Sequence, residues 1–295
     1  MNWTTENLKD QSGNLFVITG ANTGLGYEMA LELAKKSAYV VMTGRNENKL
    51  QDAKAEILKR VPGATLELGL MDLSDISSIK NFAKVFKSKY EKLDVLINNA
   101  GIMFPPPGRT KDGFELEFGV NYIGHYVLTA LLFPLLKKTA KSRIVSMSSI
   151  AHLNGRVDFE NLKLEKPFDK FREYGQSKVA DLIFSLELQR RIEKRKLDII
   201  SVAAHPGISK TELLRTDSPE KINEFPHMSA KQGAFSALYA ATEPIEGGSY
   251  IGPDGEGEMT GYPAPAFISE YAQDPELGTQ LWGYTEQETG VLFDF

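Results

Sequence analysis

The sequence predicts an α/β fold, a doubly wound parallel sheet of about seven strands with helices on both faces. Three observations carry that expectation. Short apolar runs alternate with stretches of helical periodicity through most of the 295 residues, as repeated βα units would. The runs are almost continuously apolar, which suits strands buried on both faces. The first, Leu15-Phe16-Val17-Ile18, ends in Thr19-Gly20-Ala21-Asn22-Thr23-Gly24-Leu25-Gly26, a glycine-rich turn that leads straight into a helical pattern.

In that turn Gly20, Gly24 and Gly26 let the backbone approach a large anion with no Cβ in the way, and Asn22, Thr23 and Leu25 stand at the helix start. The opening helix directs free N–H groups and its positive dipole end at the same place, so the expected ligand group is a pyrophosphate. The spacing, Gly-x3-Gly-x-Gly, differs from the Gly-x-Gly-x2-Gly of the commoner dinucleotide fingerprint.

Leu25, Met29 and Leu33 give the first helix its apolar face, and residues 39–43 follow as the second strand. Leu50, Ala53 and Ile57 mark the next helix, stopped by Pro62-Gly63 before a strand at 65–68. Ile76, Ile79, Ala83 and Phe86 mark a third helix, 93–97 reads as a buried strand, and 114–137 as a long apolar helix. Strands at 143–147, 197–203 and 249–251 alternate with helices near 171–194 and 229–241. Asp274-Pro275 opens a last helix with Leu277, Leu281 and Trp282 on its apolar face and Gly290 as its stop. Loops are expected at 101–113 and 155–170. The chain 1–295 reads as a single domain with an insertion at 155–170, a substrate lid at 208–228 and a C-terminal extension at 253–295.

Composition excludes several functions. A net charge of −5 from 39 acidic and 34 basic residues, interspersed, offers no basic stripe to nucleic acid. The absence of cysteine excludes disulfides, thiolate metal sites and a cysteine nucleophile. His125, His152, His205 and His227 lack the i,i+4 pairing that would suit a metal, and none is expected. Met1-Asn2-Trp3-Thr4-Thr5-Glu6 resembles neither a signal peptide nor an anchor, and the longest apolar stretch, about 126–136, is short for a bilayer span. The expected setting is cytoplasmic, with a small-molecule substrate as partner, no nucleic acid, no membrane anchor, and a homo-oligomer left open.

In a doubly wound sheet the ligand lies across the carboxyl ends of the strands. There stand Gly44-Arg45 after the second strand, Asp72-Leu73 after the third, Asn98-Asn99-Ala100-Gly101 after the fourth, Ser148-Ser149 after the fifth and His205-Pro206-Gly207 after the sixth. Singly each has a plainer reading: Asp72 before a helix capped near Ser74, the asparagines as turn residues, Pro206-Gly207 as punctuation. Their common placement marks Asp72, Leu73, Asn98, Ala100, Gly101, Pro206 and Gly207 as ligand contacts.

The chemistry points to Tyr174-Gly175-Gln176-Ser177-Lys178, where Tyr174 and Lys178 are i,i+4 neighbours on one helix face. A phenol titrates at about 10, so work at about pH 7 needs a shift of about 3 units, or about 4 kcal/mol. One cation about 5 Å away contributes about 3 kcal/mol at an effective dielectric near 20, so Lys178 is expected to supply most of the shift. Simple packing of the two on an amphipathic helix is the plainer alternative.

Residues 19–26, 98–101, Ser149, 174–178 and Pro206-Gly207 together resemble the short-chain dehydrogenase/reductase family over about 15–251, which implies a Rossmann-type fold. By that resemblance Tyr174 is the general acid/base and Ser149, the second of its pair, orients the substrate oxygen. Lys178 would hold the nicotinamide ribose and lower the tyrosine pKa, and Asn121 would support a water linking the lysine to solvent. Thr211 resembles a threonine that contacts the nicotinamide amide, or else caps a helix in Ser209-Lys210-Thr211-Glu212. An NAD-preferring member usually places a carboxylate at the end of the second strand, where this chain has Gly44 and then Arg45, a fork suited to a 2′-phosphate. NADP is therefore expected over NAD.

The long separation of Ser149 from Tyr174, with Val157-Asp158-Phe159 and Pro167-Phe168 between them, is similar to that of the retinol-dehydrogenase-like and protochlorophyllide-reductase-like branch. So is the tail, in Gly252-Pro253-Asp254-Gly255 and Leu281-Trp282-Gly283-Tyr284. The implied activity is NADP-dependent interconversion of a carbonyl and an alcohol. Phe104, Leu153, Leu213, Leu214, Phe225 and Met228 are candidate walls for an apolar or aromatic substrate. Reduction of an activated carbon–carbon double bond and a non-catalytic NADP-binding sensor are the alternatives.

Overall fold

The computed structural model describes residues 2–211 and 226–295. Strand β1, Leu15–Thr19, pairs in parallel with β2, Tyr39–Gly44, on one side and with β4, Val95–Asn98, on the other, so that Phe16 lies opposite Val40 and Val95. Outside β2 lies β3, Thr65–Leu70; beyond β4 come β5, Ser142–Met147, and β6, Ile199–Ala204. Two short strands, β7 at Ser209–Lys210 and β8 at Met228–Ser229, pair with each other apart from the main sheet. The sheet ends with β9, Tyr250–Pro253, and β10, Pro263–Pro265, in the order β10-β9-β6-β5-β4-β1-β2-β3. The seven expected parallel strands are present. The eighth, β10, runs antiparallel at the edge, where a Pro-Ala-Pro sequence lacking alternate N–H donors is tolerated and gave no strand signal.

From β1 the chain winds outward to β2 and β3, then returns to lay β4, β5 and β6 on the opposite side. The loops after β1 and β4 therefore diverge, leaving a crevice at the carboxyl ends of the strands. One apolar layer lies under helices α1, Gly24–Lys35, and α2, Glu47–Arg60, with Met29, Leu33, Leu50 and Ile57 buried. The other lies under α3, Ile76–Lys89, α4, Gly124–Lys138, and α5, Lys170–Lys194, and includes Ile79, Phe133 and Leu188. Short α6, Ala230–Gly233, and α7, Phe235–Thr242, join the first layer; α8, Glu270–Gln273, and α9, Pro275–Thr289, join the second, where Trp282 is fully buried.

Side-chain caps set the helix starts. Asn46, Asp75, Asp169 and Asp274 each accept backbone N–H groups of the turn they open, and Gly290 closes α9 in the left-handed conformation. The cap of α3 is thus Asp75, not Ser74. The long apolar helix begins with a π-helical turn, Phe118–Ile123, and then continues as α4. Phe118–Lys138, 21 residues long with a mean hydropathy of 1.3 over its most apolar 18-residue window, is long and apolar enough to cross a membrane and longer than the stretch read from sequence. Its most apolar window is 83% buried among the other elements, so the core accounts for its apolarity.

Candidate active site

The glycine turn between β1 and α1 is built as a cradle. Gly20 and Gly24 have φ of +65° and +57°, and a Cβ on Gly26 would fall on the Gly20 carbonyl oxygen and lie 2.7 Å from Asn99 Nδ2. Unlike the helices just described, α1 begins at Thr23 with no side-chain cap and no acid in its first turn. Its leading N–H groups and dipole end are left facing the crevice, which fits the pyrophosphate of a dinucleotide. Asn22 and Thr23 are half-buried beside it, whereas Leu25 also packs toward Gly233. The side chain of Thr211 lies 3.4 Å from where a Gly24 Cβ would stand, so the structure brings Thr211 to the cradle; Ser209 and Lys210 before it are a strand, and any helix that Thr211 would cap lies outside the described residues.

A buried hub not anticipated from sequence ties this turn to the loop after β4. Thr19 Oγ1 accepts the N–H groups of Asn99 and Ala100, each at 2.8 Å, and Asn99 Nδ2 donates to Thr19 O at 2.7 Å. The same hydroxyl lies 2.8 Å from His125 Nε2, and His125 Nδ1–H donates to Asn121 O at 2.6 Å. Burial pushes the His125 imidazole down to about 3, so the ring is neutral and Nε2 accepts the Thr19 proton. Thr19→Val keeps the shape but strands two amides, and we expect a loss of about 2 kcal/mol in unfolding free energy. A thermal melt within a degree or so of wild type would show that the amides find other partners.

Ser149, Tyr174 and Lys178 converge at the end of β5. Ser149 opens a short 3-10 turn, Ile150–Leu153, and its hydroxyl lies near enough to the Tyr174 phenol to lower its pKa. Ser148 instead donates to Lys178 O at 2.7 Å and is buried, which leaves Ser149 as the serine facing the phenol. Lys178 Nζ stands 5.9 Å from the Tyr174 ring centroid and 3.7 Å from where a Gly101 Cβ would be, beside the crevice. It donates to Met147 O at 3.1 Å and to Asp181 Oδ2 at 2.9 Å. Asn121 Oδ1 accepts from Ile102 N at 2.9 Å while its Nδ2 donates to Ile102 O and to Ser177 Oγ, pinning the loop after Gly101 against α5.

Lys178 acts on the tyrosine pKa in the expected direction, but burial opposes it. Burial is the largest influence on the Tyr174 phenol and pushes it up; Lys178 and then Ser149 pull it down without overcoming burial. The expectation treated the lysine as a lone cation, and the structure pairs it with Asp181. A second buried acid, Glu117, accepts Phe104 N at 2.8 Å and holds Phe104 at φ +54°, with its ring 5.7 Å from that of Tyr174. Burial pushes the Glu117 carboxyl up to about 8. Phe171, 69% exposed, packs on Phe104 at 5.1 Å, so these two rings and Tyr174 form one aromatic wall.

Other sequence-predicted residues divide. Arg45 is exposed at the rim, with no ion-pair partner among the described residues, and Gly101 borders Lys178. Gly207, at φ +59°, and Pro206 form the turn after β6, packed on Met259. Ala100 touches the cradle at Gly20. Asp72 Oδ1 is committed to the N–H and hydroxyl of Ser74, and Leu73 is buried against Gly124. The Asn98 side chain turns inward and donates to Thr129 Oγ1 at 2.9 Å, buried at the end of β4. One expectation needs correction. Met228 is buried in β8 and accepts Gly261 N through its sulfur, so it is packing rather than wall. Leu213, Leu214 and Phe225, with most of the 208–228 lid, lie outside the described residues.

A doubly wound sheet, an anion cradle at its switch point and a buried tyrosine-lysine pair at the same edge define a dinucleotide-dependent oxidoreductase. The model of the short chain dehydrogenase family matches residues 14–222. Retinol dehydrogenase 12 of Mus musculus is 40% identical over 291 residues, 96% of this chain and 88% of that protein. Retinol dehydrogenase 11 of Homo sapiens is 38% identical over 289 residues, 96% and 87% of the two. Among solved structures, an uncharacterised protein of Mycobacterium Paratuberculosis superposes with TM-score 0.85 at 36% identity, covering 100% of both chains. A 3-ketoacyl-(acyl-carrier-protein) reductase of Brucella melitensis, complexed with NADH, shares the fold at TM-score 0.64 and 24% identity, covering 81% of this chain and 96% of that one. The chain belongs to the short-chain dehydrogenase/reductase family, in its retinol-dehydrogenase-like part, and is an NAD(P)-dependent oxidoreductase.

Proposed function

We propose that the protein interconverts a carbonyl and an alcohol on a small apolar or aromatic molecule, with NADP as the preferred cofactor. The observation that carries the reading is the meeting of Ser149, Tyr174 and Lys178 beside the cradle. When bound, the nicotinamide supplies or accepts the hydride. Tyr174 moves the proton at the substrate oxygen, its neutral form favoured by burial and ready to donate in the reducing direction. Ser149 orients that oxygen, and Lys178 presents its remaining N–H to the ribose. The wall of Phe104, Phe171 and Tyr174, with half-exposed Leu153, supports an apolar or aromatic substrate.

For the cofactor, β2 ends at Gly44, so the chain has no carboxylate there; a Cβ would stand 3.2 Å from Asn22 Oδ1 and 3.4 Å from Leu50, contacts that a small shift of those side chains relieves. Arg45 stands next to it, open to a phosphate carrying about two negative charges. Consumption of NADPH and NADH across a panel of aldehydes, ketones and enones is the test. Wild type is expected to prefer NADPH in kcat/KM with a carbonyl substrate. Arg45→Ala should erase most of that preference and Gly44→Asp with Arg45→Ala reverse it. Equal or better use of NADH by wild type would make Arg45 a surface charge only, and turnover confined to enones would favour double-bond reduction.

A further inference from the structure

We infer that Asp181 is a positioning residue for the proton transfer: it fixes the Lys178 ammonium and, as its counter-charge, sets how readily Tyr174 releases its proton. The inference rests on the reading of Tyr174 as the proton donor. Asp181 and Lys178 are 4% and 5% exposed, three residues apart on α5, with Oδ2 and Nζ 2.9 Å apart. A lysine ammonium has three hydrogens. Two are directed at Asp181 and at Met147 O, so the third is left pointing to the crevice side, where Gly101 and Tyr174 lie. Without Asp181 the ammonium could turn and offer its donors elsewhere.

The charge argument is independent of this geometric one. A buried ion pair is seldom kept for stability, since an apolar replacement of similar volume is often neutral or better. A lone buried Lys178 would stabilise a phenolate strongly, whereas the Lys178–Asp181 pair acts on Tyr174 only as a dipole. The other ionisable groups around them do not cancel this. Glu117, just before the π-helical turn, pushes Tyr174 the same way as Asp181; Tyr122 and, on β9, Tyr250 are buried phenols pushed up and hence neutral; His125 is neutral. Burial pushes the Asp181 carboxyl up to about 7 against the pull of Lys178, so it carries its charge above that pH, where a phenol titrates. Asp181 thereby keeps the phenol protonated, the form that donates to a carbonyl oxygen.

Asp181→Asn, which keeps size and an acceptor but removes the charge, tests this in two ways. In the holoenzyme the pH limb of kcat that Tyr174→Phe abolishes should move down by about one unit, and Asp181→Glu should restore it. In the cofactor-free protein, NMR of isotope-labelled tyrosine, with Tyr174 assigned through Tyr174→Phe, should show the phenol titrating lower by a similar amount. Asp181→Ser serves as the second variant if the Asn form does not fold. An unshifted limb and resonance, whatever the overall rate, overturn the inference, as does failure of both variants to fold, which would make Asp181 structural. Absence of wild-type turnover on every substrate would instead count against the functional reading, and the NMR titration would still decide the role of Asp181.

Discussion

Tyr174→Phe is expected to lower turnover about 10²- to 10⁴-fold, the usual share of a positioned proton donor. Phenylalanine keeps the ring against Phe104 and stays in a site where Tyr174 is 9% exposed, so packing is preserved. Only the hydroxyl beside Ser149 is lost, at a cost of about 1 kcal/mol in stability, which leaves the protein folded at assay temperature. The cradle for the pyrophosphate is built from β1 and α1 and does not include the phenol. NADPH affinity, measured by fluorescence titration, should therefore stay within about threefold of wild type, a change below 1 kcal/mol. Unchanged turnover with every active substrate would remove Tyr174 from the mechanism and favour a binding protein over an enzyme.

What could be read in the sequence was local, and what could not was set by burial or by distance along the chain. The turn after β1, the cap at Asp274 with its stop at Gly290, and the shared face of Tyr174 and Lys178 each follow from residues within a few positions of one another. The hub of Thr19 and His125 joins residues 106 apart, and nothing near either marks it. Asp181 is a different case. Its position three residues after Lys178 was visible, but an acid at that spacing is usually a solvated surface partner, and only its burial makes it a counter-charge. Glu117 gave no signal either, because an acid in an apolar helix reads as its exposed face. The same gap applies to the Tyr174 pKa: the pull of Lys178 was legible, and the opposing desolvation was not.

The insertion after Ser149 carries the other large expected effect. Gly155 lies directly on α5, where an added Cβ would fall on the Gly175 carbonyl oxygen, 2.7 Å from the Gly175 carbonyl carbon and 3.0 Å from Val179 Cβ. Gly175 answers it, with space for its own Cβ only 3.3 Å from Gly155 Cα. The stretch is held on both sides of this contact: Asp158 N donates to Gln176 Oε1 at 2.7 Å, and Asn161 Nδ2 donates to Glu173 at 3.1 Å. Upstream, His152 Nδ1–H donates to Ser149 O at 2.8 Å and fixes the turn that presents Ser149. A methyl group at Gly155 must push this loop or α5 aside, and the residues displaced first are Ser149 and Tyr174. Gly155→Ala should thus lower kcat about 10- to 100-fold, as a misplacement of about 1 Å does, and cost about 1–3 kcal/mol in stability. Cofactor affinity should hold, since the cradle lies on β1. Gly175→Ala, with the wider 3.3 Å clearance, should do less. Wild-type kcat in a folded Gly155→Ala protein would show that the loop yields without moving Ser149, and an equal loss of cofactor affinity would place the insertion's influence at the cradle instead.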